Sequence, residues 1–140
     1  MTEDTQTTVI ESGRRKSPLL ARLMLITTIG AWVGAFWGTH TPAPGLVRGV
    51  SDKTMHFSGY AVLAMLMSVT MTVRGQSRGK RLLWAIIVFP IYAALDELTQ
   101  PIVNRHCDIM DWVADVSGAL LMVAAWELLM LISQIRRRLR

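Results

Sequence analysis

Apolar residues along this chain are gathered into four blocks, at roughly 19–37, 55–73, 82–99 and 112–133. About 20 helical residues rise about 30 Å, the thickness of the bilayer's hydrocarbon core. None of the blocks carries the continuous polar face that a helix packed against a water-facing core shows. The pattern predicts an all-α fold, a four-transmembrane-helix bundle over 18–135. A polar tail at 1–17, expected to be disordered and cytoplasmic, precedes it. A basic cytoplasmic tail at 136–140 follows. The first block has full span length and no clear small-residue cleavage site after it, so it reads as a retained helix rather than a signal peptide.

Boundary chemistry supports the segmentation. Ser17-Pro18 suits the cap and first turn of the first helix. Pro101 should stop the third helix near Gln100, and Pro90 lies inside it, where it should kink the axis. Asp108 can cap the fourth helix. Gly30, Gly34 and Gly38, and likewise Ala114 and Gly118, recur every fourth residue. Small residues at this spacing let helices approach closely in lipid. Packing within the bundle is the expected use, a dimer face the other.

Charge then gives the bundle a direction. The 140 residues include 15 Lys or Arg and 10 Asp or Glu, for a net charge of +5. That surplus does not point to nucleic acid, because the basic residues stand in short runs beside apolar blocks. Arg14, Arg15, Lys16 and Arg22 flank the first block. Arg74, Arg78, Lys80 and Arg81 fill the connection between the second and third. Arg136, Arg137, Arg138 and Arg140 form the tail. Only Arg48, Lys53 and Arg105 lie elsewhere. The positive-inside rule therefore predicts cytoplasmic termini and extracytoplasmic loops at 39–54 and 100–111. The sole cysteine, Cys107, excludes an internal disulfide, and no zinc-ligand spacing is present.

The carboxylates take the opposite distribution. Asp52, Asp96, Glu97, Asp108, Asp111 and Asp115 lie at or near the predicted outer edge. Glu127 falls near the inner edge, where it is expected to snorkel to the headgroups. Asp52, His56 and Tyr60 share one helix face, as do Asp96 and Gln100, and as do Asp108, Asp111 and Asp115. Charges beside hydrocarbon must pair, bind something or line a wet cavity. One reading is structural: Lys53 and Arg105 neutralise some carboxylates, and the others hydrogen-bond between helices. The other is a site open to the exterior.

His56 is the candidate for proton transfer, since its unperturbed pKa lies near neutrality. A packing role is its plainer alternative. Adjacent Asp96 and Glu97 face the unfavourable end of a helix dipole and need a cation, a metal or a proton. Arg105 suits a carboxylate or phosphate. Tyr60 is read as a ligand contact or an interfacial anchor. His40 and His106 read as ordinary loop residues.

These residues resemble the VanZ-like family of small membrane proteins. The match is Asp52-Lys53-x-x-His56-Phe57-x-x-Tyr60, then Asp96-Glu97-x-x-Gln100, then Arg105 with Asp111-x-x-Ala114-Asp115-x-x-Gly118. It runs from about 19 to 133. Two features depart from the pattern. Pro101-Ile102-Val103-Asn104-Arg105 replaces a Phe-x-Pro-Gly-Arg style of connection, and Asp115 stands where many members have Asn. The resemblance implies a multi-pass protein of the bacterial cytoplasmic (inner) membrane. The family's named member is associated with low-level resistance to the glycopeptide teicoplanin.

The leading expectation is an extracytoplasmic site that recognises a lipid-linked or cell-wall group. Asp52, Lys53, Tyr60, Gln100, Arg105 and Asp115 would bind it. The first alternative is a metal-dependent hydrolase or transferase acting on a lipid or polyprenyl phosphate. Asp96, Glu97, Asp111 and Asp115 would then hold Mg²⁺, Mn²⁺ or Ca²⁺, and His56, Asp96, Glu97 and Asp111 would be the catalytic set. The second alternative is a proton-coupled transporter. The sequence requires no cofactor, although it admits a divalent cation. The expected partners are the bilayer, an anionic lipid or lipid-linked envelope precursor, and a second copy of the chain. Nucleic acid is not among them.

Overall fold

A computed structural model describes residues 17–41 and 50–140. The tail expected to be disordered, and the loop position Arg48, lie outside the described residues. Four helices follow one another: α1 (Pro18–Thr39), α2 (Asp52–Val73), α3 (Arg78–Thr99) and α4 (Ile109–Arg138), with a 3₁₀ turn at Gln100–Val103. All four are long and apolar enough to cross a membrane. The chain is an all-α, multi-pass membrane protein.

Each helix begins on a side chain that takes up a free backbone N–H. Ser17 accepts from Leu20, Ser51 from Thr54, Ser77 from Lys80 and Asp108 from Met110. Pro101 lacks an N–H and α3 gives way to the 3₁₀ turn after Thr99. Asn104 then adopts a left-handed conformation (φ 59°), and the chain turns back toward the bundle.

Two boundaries correct the sequence reading. α4 runs on through Arg136, Arg137 and Arg138, so most of the basic tail is its last turn. α3 begins at Arg78, so Arg78, Lys80 and Arg81 belong to the helix rather than to the connection. Arg81 is buried. Its Nε donates to Glu127 Oε1 at 2.6 Å and its NH2 to Glu127 Oε2 at 2.9 Å. Its NH1 donates to the Gln76 carbonyl. Glu127, only 3% exposed, therefore does not snorkel. A bidentate guanidinium meets both its oxygens, which satisfies the charge without water.

α2 and α4 form the main seam of the bundle. Gly118 permits it: a methyl group there would run into the Phe57 carbonyl of α2. Tyr60, Leu63 and Ala64 of α2, Ala85, Phe89 and Ala93 of α3, and Ala119 and Val123 of α4 fill the core. α1 stands to one side, with Thr28 its one buried residue. The Thr28 hydroxyl pairs with that of Thr70 at 2.7 Å. Among the described residues, nothing lies within 4 Å of where a Cβ would sit at Gly30, Gly34 or Gly38. The expectation that this glycine row packs inside the bundle is therefore wrong. α1 meets the core through Trp32, whose ring lies against Phe89 and Tyr92.

Candidate functional site

At the end opposite the Arg81–Glu127 pair, the ends of all four helices converge. The start of α2 supplies Asp52, Lys53, His56 and Tyr60, and the last turn of α3 supplies Asp96 and Glu97. The 3₁₀ turn adds Gln100, and the loop beyond it Arg105. The start of α4 supplies Asp108, Asp111 and Asp115. Spacing alone linked these residues within each element, and the fold brings the elements together.

The outer layer is partly exposed. Lys53 Nζ donates to Asp108 Oδ2 at 2.7 Å and to Asp111 Oδ1 at 3.1 Å. Lys53, with a hydrogen bond from the Met110 N–H second, holds the Asp108 carboxyl below the usual carboxylate range. Arg105 donates to the Thr39 carbonyl at 3.0 Å and lies 3.7 Å from Asp52 Oδ1, a loose contact. Side-chain exposure is 51% for Lys53 and Asp52 but 26% for Arg105.

The layer beneath is closed. His56, Asp96, Glu97, Gln100, Asp111 and Asp115 are all buried. His56 Nδ1 lies 3.0 Å from Asp115 Oδ1 and 3.8 Å from Glu97 Oε1. Gln100 Nε2 donates to Glu97 Oε1 at 2.8 Å, and the Asp108 N–H donates to Glu97 Oε2 at 3.0 Å. Asp108 is thus both the cap of α4 and, through its backbone, a support for Glu97. Tyr60 is buried one turn below His56, with its ring against Phe89 and Tyr92. This position corrects its reading as an interfacial anchor.

The end of α1 contributes residues that the sequence reading passed over. The Thr39 hydroxyl donates to Asp96 Oδ1 at 2.7 Å. His40 Nδ1 lies 3.6 Å from the same oxygen, and its Nε2 pairs with the Thr99 hydroxyl at 2.8 Å. His40 is therefore not an ordinary loop residue. Its signal was its place directly after an apolar block, where it can reach a neighbouring helix end. His106 is exposed.

Among the described residues, two groupings bring potential metal ligands together, and both use His56. One is His56, Glu97 and Asp115, all buried. The other is Asp52, His56 and Asp111, nearer the rim. In each, one donor atom from every member lies within 4.8 Å of the others. The all-carboxylate set read from the sequence is arranged differently: Asp96 joins neither grouping and faces Thr39 and His40 instead.

A family model described as VanZ/LLP1 matches residues 6–131. No curated protein and no solved structure matches the chain. The family match covers most of the sequence and agrees with the resemblance carried by the motifs on α2, α3 and α4. The chain belongs to the VanZ/LLP1 family.

Proposed function

We propose that the outer layer is a recognition site for an anionic lipid-linked or cell-wall group on the extracytoplasmic face of the bacterial cytoplasmic membrane. The observation that carries this reading is the state of Arg105. Its guanidinium is partly exposed, anchored by the Thr39 carbonyl and only loosely matched by Asp52. Among the described residues its other donors are unengaged, and such a guanidinium suits a phosphate or carboxylate. Lys53 adds a second positive charge, and the exposed Asp52 and Asp108 offer acceptors to ligand hydroxyls. Gln100 lies underneath and positions Glu97.

The orientation rests on the excess of Lys and Arg at the other end. Cys107, the sole cysteine, is exposed beside the site. A membrane-impermeant maleimide should label it in intact cells with a permeabilised outer layer, whereas labelling only after lysis would reverse the orientation.

Function is tested by comparing glycopeptide tolerance and envelope lipid composition in cells with and without the gene. Arg105→Ala should abolish whatever difference appears, and Gln100→Ala should weaken it. If both variants behave as wild type, the recognition reading fails. The core between the two charged ends is filled by Leu63, Ala64, Ala85, Phe89, Ala119 and Val123. That apolar layer disfavours a proton path through the bundle.

A further inference from the structure

We propose that His56, Glu97 and Asp115 hold a divalent transition-metal ion, of the zinc or manganese type, at the junction of α2, α3 and α4. The three side chains come from three different helices, and each is at most 6% exposed. Their positions suit a common ion. Ligands about 2.1 Å from a metal, at tetrahedral or octahedral angles, lie about 3.0–3.4 Å apart. His56 Nδ1 is 3.0 Å from Asp115 Oδ1 and 3.8 Å from Glu97 Oε1. One donor atom from each of the three lies within 4.8 Å of the others, so an ion would draw them together, replacing the His56–Asp115 hydrogen bond.

Charge balance points the same way. Asp96, Glu97 and Asp115 are each at most 2% exposed. Among the described residues no Lys or Arg reaches any of them, and their nearest charge-bearing partners are His40 and His56. Buried carboxylates without a cation are costly. Among the described residues, Asp115 Oδ2 and Asp96 Oδ2 are buried with no hydrogen-bond partner. Asp115 is bonded to His56 through Oδ1 and close to Glu97, and its orphaned Oδ2 is an acceptor still open to a ligand.

The rim trio of Asp52, His56 and Asp111 is the weaker place for an ion, because Lys53 already occupies Asp111. Donor type narrows the identity. Calcium and magnesium favour oxygen shells, whereas an imidazole with carboxylates suits zinc, and manganese accepts the same mixture. Gln100 and the Asp108 N–H would hold the Glu97 carboxylate in place from behind. With three protein ligands, the ion keeps an open position for an oxygen of the group bound at the rim. This inference deepens the recognition reading, but it is measured by metal content rather than phenotype, so each can fail without the other.

The test uses the full chain purified in detergent through a histidine-free tag. The protein is stripped with chelator and titrated separately with Zn²⁺, Mn²⁺, Mg²⁺ and Ca²⁺. Wild type should retain about one Zn²⁺ or Mn²⁺ per chain after desalting, with a raised melting temperature, and should discriminate against Mg²⁺ and Ca²⁺. Asp115→Asn and Glu97→Gln should each weaken retention tenfold or more, on the order of the losses seen at metal sites. Arg105→Ala, at the rim, should retain the ion. X-ray absorption on the wild-type zinc form should show one imidazole nitrogen in the first shell. The proposal is overturned by a wild type that retains no equimolar ion, by an all-oxygen shell, or by folded Asp115→Asn and Glu97→Gln variants that bind as wild type does.

Discussion

The two ends of the bundle bury charge in opposite ways. At one end, the Arg81 guanidinium covers both oxygens of the Glu127 carboxylate, with Arg78 3.6 Å from one of them, and no oxygen of that carboxylate is unmet. At the other, Asp96, Glu97 and Asp115 share two imidazoles and a few neutral donors, and two carboxylate oxygens are orphaned. A matched buried pair is accounted for by the fold that contains it. An unmatched one raises the question of what else completes it. Burial alone does not separate the two ends, since both are closed to solvent. The balance of donors and acceptors does.

Four perturbations test that contrast, and the largest effect belongs to the matched end. Glu127→Ala strands the Arg81 guanidinium and should cost about 3–5 kcal/mol, read as loss of folded protein in detergent unfolding. An Arg81→Leu/Glu127→Leu double variant should recover most of that loss. If it does not, the pair serves something besides the fold.

Next comes Gly118→Ala, which forces α4 away from the Phe57 carbonyl. It should cost about 1–3 kcal/mol and loosen both ends together, because both ride on the α2–α4 seam.

Asp115→Asn should be milder in chelator-treated protein, within about 1 kcal/mol of wild type. It removes a poorly compensated charge and keeps an oxygen for His56. A cost equal to that of Glu127→Ala would mean that the two ends are equally matched.

The smallest effect is at the rim. Asp108 has its folded pKa below its unfolded one, so its stabilisation is complete above the ordinary Asp value of about 3.9. It is lost as pH falls through the lower, folded value. Melting temperature should therefore drop in acid slightly more for wild type than for Asp108→Asn, and added salt should shrink the difference.

The helices were legible because membrane spans are written in length and apolarity, and two of their caps in Ser17 and Asp108; the caps at Ser51 and Ser77 emerge only with the structure. The motifs at the converging helix ends were legible because spacing puts residues on one face. What stayed hidden depends on partners far apart in the chain. A hydropathy reading scores Arg81 and Glu127 as two costs and assigns them to a loop and a headgroup region. It has no way to see that they neutralise each other across 46 residues. Thr39 and His40 were hidden because the end of α1 is built from ordinary residues whose use appears only against Asp96. The glycine row was misplaced because small-residue spacing marks a face that can pack closely without naming what packs there.

The apolar filling between the two ends has an electrical consequence. A membrane potential falls mostly across the layer that excludes ions and water, here the stretch lined by Leu63, Phe89 and Val123. Moving one charge through the whole drop is worth about 2.3 kcal/mol per 100 mV. A charged group binding at the Lys53–Arg105 rim crosses little of it. Occupancy of the proposed site should therefore follow ligand concentration and ionic strength, and stay nearly constant when the cell depolarises.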